Sequence, residues 1–86
     1  MYRQNAIGVV TACNPHNGHA IVRLVEGGDL VAIATERDID LGDNLSGDFS
    51  GYGRVVLRNI TRQSQCNASI QSVACGLGWA EYFVRE

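Results

Sequence analysis

The sequence predicts an all-β fold: a small barrel of five or six short strands with a short aromatic tail at the C-terminus. Three observations point there. Runs of strand-forming residues recur at roughly ten-residue spacing, separated by Gly- and Asn-rich turns. The longest polar connection is too short for a crossover helix, which takes about a dozen residues or more. A single twisted sheet of this size would leave edges exposed, and closure removes them. At 86 residues the chain holds one core, so residues 1–86 are expected to form a single domain.

The first strand is formed by residues 6–12 (AIGVVTA). CNPHNGH, residues 13–19, contains two turn signals, Asn14-Pro15 and Asn17-Gly18, so the chain reverses there. HAIVRLV, residues 19–25, returns as the second strand, and EGGD turns into the third, LVAIAT, residues 30–35. The polar stretch ERDIDLGDN leads to a weaker fourth strand at 44–49. RVVLRNIT, 54–61, and CNASIQSV, 66–73, are the fifth and sixth. In the tail, Trp79, Tyr82 and Phe83 crowd into five positions. Their spacing fits one face of a short helix, though a final strand is also allowed.

Alternation assigns the faces. Ala20, Val22 and Leu24 share one face of the second strand, and His19, Ile21 and Arg23 the other. In the fifth strand Val55 and Leu57 point inward, while Arg54, Val56 and Arg58 point outward.

Composition narrows the function classes. The net charge is −2, and all seven basic residues are Arg. Proteins that live by phosphate contacts usually carry a net basic field, so nucleic acid would need a local patch. There is no apolar run of signal-peptide length, and nothing approaches the roughly 20 apolar residues of a membrane span. A cytoplasmic protein is expected, with Cys13, Cys66 and Cys75 as free thiols.

VVTACNPHNGHAIV, residues 9–22, resembles the first hairpin of cold-shock domains, which are OB-fold barrels. Asn14 matches that family's Asn, Gly18 its glycine after the Lys, and Val22 its closing aliphatic. The resemblance covers about fourteen residues and implies an OB-like topology. It also implies single-stranded nucleic acid as partner, bound by stacking bases on aromatic rings. The positions of those rings hold Ala12, His19 and Ile21 in this chain, and Asn17 stands where the family has a basic residue. The barrel is kept and its usual surface chemistry is not.

Each candidate site has a plain structural counterpart. Cys13, His16 and His19 are good zinc ligands by type, but a closed site wants four and no fourth is near; the plain alternative is a polar hairpin tip. No metal or other cofactor is expected. Asp38, Asp40 and Asp43 alternate as cation ligands can, without the spacing of a calcium loop, and read better as a solvated turn. The GYG and GLG segments read as turns, since neither opens a long helix after a strand. A Cys13–His16 or Cys13–His19 nucleophile pair lacks an orienting third residue and a cleft, so no enzyme activity is expected. His16, His19, Arg23, Arg54 and Arg58 are the candidates for nucleic-acid contact. Ile21, Val56, Trp79, Tyr82 and Phe83 are the candidates for a protein interface or self-association, aromatic residues being favoured at interface centres. A protein-binding or self-associating module is the first expectation. A weak single-strand binder of cold-shock type is the second.

Overall fold

The computed structural model describes residues 6–36 and 39–85. Six strands close into an antiparallel barrel: β1 (Ala6–Asn14), β2 (His19–Leu24), β3 (Leu30–Thr35), β4 (Asn44–Gly47), β5 (Gly53–Asn59) and β6 (Ser64–Ser72). A C-terminal helix, α1 (Leu77–Arg85), follows. The all-β barrel with a short tail element is therefore present, with six strands, and the tail is helical. No helix among the described residues is long and apolar enough to cross a membrane.

Around the barrel the order is β1-β2-β3-β6-β5-β4, with β4 pairing back onto β1. The chain thus makes one three-strand meander and then crosses from β3 to β4. From there it makes a second meander that zips onto both edges of the first. In this ring β2 and β5 stand three strands apart in either direction, on opposite sides of the barrel.

The alternation of β2 and β5 holds. Val10, Ala20, Val22, Val31, Ile33, Leu45, Phe49, Leu57, Cys66, Ala68 and Ile70 fill the interior. In β1 the parity is reset by a bulge between Val10 and Ala12: Val10 pairs with Val22, and Ala12 with Ile21. The extra residue, Thr11, lets Val10 and Cys13 both face inward while Ala12 and Asn14 face out. The bulge thereby turns Asn14, at the start of the hairpin tip, toward the outer flank of the barrel.

A second, smaller core lies outside the barrel. Ile21 and Ala32 are buried beneath Ala80 and Phe83 of α1, with Ala12, Leu30, Cys75 and Val84 around them. The helix lies over β1, β2 and β3. The aromatic tail is therefore a cover for one flank of the barrel. Ile21, expected in an exposed apolar patch with Val56, is only 3% exposed. Phe83 is buried as well. Both belong to an internal contact, because an apolar outward residue on a strand is stabilised by a covering helix.

The acidic connection is anchored to β1 as well. Val10 N–H donates to Asp43 O (2.9 Å) and Gly42 N–H to Val10 O (2.8 Å). Asp43 is buried, at 5% exposure, contrary to a solvated turn. Its Oδ2 accepts hydrogen bonds from Asn59 Nδ2 (3.0 Å), Arg62 Nε (3.0 Å) and the Asp40 N–H (3.1 Å). Arg62 also pairs with Asp40. Asp38 lies outside the described residues. Burial pushes the Asp43 carboxyl up, but the donors from Asn59, the Asp40 backbone and Arg62 outweigh it. The net position is below the usual carboxylate value. Asp43 thus ties the crossing connection to β5 and to the β5–β6 turn.

Candidate functional site

The hairpin tip CNPHNGH is the point where the barrel grips its helix. The turn is built by side chains bonding to their own backbone. Asn14 Oδ1 accepts from His16 N–H and Asn17 Oδ1 from His19 N–H, each at 2.9 Å, the local competition that makes Asn a turn residue. Gly18 has φ +74°, and a Cβ there would stand 2.4 Å from Thr35 O. Only glycine fits, because the tip packs on the end of β3.

The amide nitrogens of the same two asparagines point the other way, to the helix. Asn14 Nδ2 donates to Val84 O at 2.9 Å and Asn17 Nδ2 to the same oxygen at 3.2 Å. His19 Nδ1 lies 2.8 Å from Phe83 O. A carbonyl can only accept, so Nδ1 carries the hydrogen. Phe83 and Val84 supply two of the last four carbonyls of α1, which have no partner within a helix. Donors at this end also suit the negative pole of the helix dipole. The tip therefore caps α1 from a distance of about 65 to 70 residues in sequence.

His19 adds a flat contact. Its ring stacks on Phe83 with centroids 3.9 Å apart and planes 4° apart. Trp79 stacks on the far side of the array, 5.1 Å from Phe83 at 14°. Three rings thus run from the barrel wall to the surface of the helix. At the other end of α1, Cys75 N–H and Sγ both donate to Leu30 O (3.0 and 3.4 Å). The helix is held at both ends, and Trp79 (45% exposed) and Tyr82 (61% exposed) face outward.

The metal-ligand candidates do not converge. Cys13 packs against the interior and lies 3.7 Å from Ile39 O, while His19 lies under the helix and His16 is exposed at the tip. No cluster of three His, Cys, Asp or Glu side chains that could hold a metal occurs among the described residues. The bulge at Thr11 is what sends Cys13 inward. Cys13 and His19 line the same small cleft beneath the tip, with Asn14, Pro15 and Ile39, and His19 Nδ1 is engaged by Phe83 O. Burial, and next the charge of Asp40, push the Cys13 thiol above its usual value, which disfavours the nucleophilic thiolate.

The nucleic-acid candidates are divided. His16, His19 and Arg23 belong to β2 and its turn, Arg54 and Arg58 to β5, on opposite sides of the ring. Ala12, His19 and Ile21, where the cold-shock resemblance would put stacking rings, do share one outer face, and α1 lies on it. Among the interface candidates, Trp79, Tyr82 and Val56 (58%) are exposed. Val56 belongs to the far side, with Arg54 and Arg58.

Two features escaped the pattern of alternation. The capping role of Asn14 and Asn17 needs a partner nearly seventy residues away. The cover over β3, by contrast, is signalled by LVAIA, apolar at every position, since such a run marks a strand buried on both faces.

Comparison of the chain with protein-family models, curated proteins and solved structures finds no match in any of the three.

Proposed function

We propose that this chain is a non-catalytic protein-interaction module that self-associates through the exposed flank of α1. The observation that carries this is the placement of Trp79 and Tyr82. They are three residues apart, hence neighbours on the helix surface, and both are exposed although the helix beneath them is clamped. Trp79 is already ordered by its stack on Phe83, so little side-chain freedom remains to be lost on binding. Large aromatic side chains of this kind dominate interface energetics.

Sedimentation equilibrium of the wild type and of Trp79→Ala tests this. The wild type should gain average mass with concentration, almost equally at low and high salt, because apolar association is little screened. Trp79→Ala should stay at the mass of one chain. A wild type that remains monomeric throughout, or an assembly indifferent to Trp79→Ala, contradicts the proposal.

A further inference from the structure

The side of the barrel opposite α1 has a different chemistry. The six strands carry no Asp or Glu at all, and their three charged residues are Arg23, Arg54 and Arg58. Two of these stand on the outer face of β5, on either side of exposed Val56. Register sets Arg54 opposite Ser69, Val56 opposite Asn67 and Arg58 opposite Gln65 of β6. Each arginine therefore has a hydroxyl or an amide as its cross-strand neighbour, and neither makes an ion pair with a carboxylate among the described residues. In a chain of net charge −2, this is a basic, donor-rich strip. An open groove of about 880 Å³ runs over Arg54, Val56, Asn67 and Ser69 towards Thr35 and Glu36.

We propose that this strip docks an extended acidic segment of a partner protein, with carboxylates on Arg54 and Arg58 and an apolar side chain on Val56. The spacing is the argument for an extended chain. Arg54 and Arg58 lie about 13 Å apart along β5, and an extended peptide carries side chains i, i+2 and i+4 on one face with the same rise. A segment of the form acid-x-apolar-x-acid thus meets Arg-x-Val-x-Arg position for position. Guanidinium groups bind carboxylates in a two-pronged geometry, and the Ser69, Asn67 and Gln65 side chains can bond to the peptide backbone. Nucleic acid fits less well. β5 and β6 present no ring on which bases could stack; Tyr52 alone stands exposed in the preceding loop. The net negative charge also opposes a long polyanion. The groove reaches Asn17, which also bonds to α1, but Arg54, Val56 and Arg58 lie on β5, away from the helix that carries Trp79 and Tyr82.

The test is fluorescence polarisation with the full chain and three labelled probes. One is the peptide Gly-Glu-Ser-Leu-Ser-Glu-Gly, one its Gln-for-Glu counterpart, and one an eight-residue oligothymidylate. The acidic peptide should bind saturably and more weakly as salt rises. The Gln peptide should bind at least tenfold more weakly. Arg54→Gln and Arg58→Gln should each weaken the acidic peptide several-fold, and together abolish its binding, with the amide NMR spectrum of the barrel retained. Trp79→Ala should leave this binding unchanged. Equal binding of the Gln peptide, indifference to the double arginine variant, binding of the oligothymidylate alone, or no binding of any probe would each overturn the proposal.

Discussion

The barrel has two outer faces built on the same antiparallel pairing and finished in opposite ways. Over β1, β2 and β3 the outward residues Ala12, Ile21, Ala32 and His19 lie under α1, while Arg23 beyond them on β2 stays exposed. Over β5 and β6 the outward residues are Arg54, Val56, Arg58, Gln65 and Asn67, all exposed. The difference shows what decides whether a strand face is covered. Small and apolar outward residues leave a surface whose burial is favourable and whose shape admits a helix. Arginine and amide side chains would have to be desolvated, so their face stays in water. The covered face then serves to present Trp79 and Tyr82, and the open face serves as itself.

The comparison can be broken at several levels. Leu57→Ala acts on both faces at once. Leu57 is fully buried in the interior, and the loss should be about 3 kcal/mol. Chemical denaturation followed by the far-ultraviolet circular dichroism of the whole barrel would show it as a single cooperative transition.

Asp43→Ala should cost about 2 kcal/mol, because the Asn59 amide is left buried without its acceptor. Its effect depends on pH. The Asp43 carboxyl sits below its usual value in the folded chain. Its stabilisation is therefore complete above the unfolded-state value and is lost as pH falls through the folded-state value. Thermal unfolding between neutral and acid pH should show wild type and Asp43→Asn converging as the solution is acidified. Curves that stay parallel would remove Asp43 from the acid response.

Replacing Asn14 and Asn17 with Asp separates the two faces. The Oδ1 acceptors that build the turn are kept, while the donors to Val84 O are replaced by negative charge at the negative pole of α1. Loss of about 1 kcal/mol per site is expected, confined to the docking of α1. Smallest of all, Arg54→Gln and Arg58→Gln should change stability by no more than about 0.5 kcal/mol, as substitutions at exposed positions usually do. A larger drop would mean that the open face is structural.

Most of the barrel was legible in the sequence. Gly and Asn turn signals marked most reversals, though not the one between β5 and β6, where Gln63 takes φ +55°, and alternation in β2 and β5 assigned the inward residues, since period two leaves little choice when one face is buried. What lay beyond reach were relations between distant residues. The bulge at Thr11 inverts the faces of the end of β1, and nothing in AIGVVTA signals it. Asp43 reads as one of several solvated aspartates until Asn59 and Arg62 are brought beside it. Ile21 reads as exposed if β2 is taken alone, because a strand does not show what lies on its outer face. The neighbouring run LVAIA does show it, being apolar on both faces. His16, His19 and Arg23 could be separated from Arg54 and Arg58 only once the ring order put β2 opposite β5.

The central claim is that the hairpin tip holds α1 against an otherwise complete barrel. Native-state amide hydrogen exchange of the Asn14→Asp/Asn17→Asp variant tests it most directly. The account predicts that amides of α1 lose protection by about ten- to a hundredfold, following loss of about 1 kcal/mol per site, while those of β5 and β6 keep theirs. Unchanged protection in α1, or an equal loss through every strand, would contradict it.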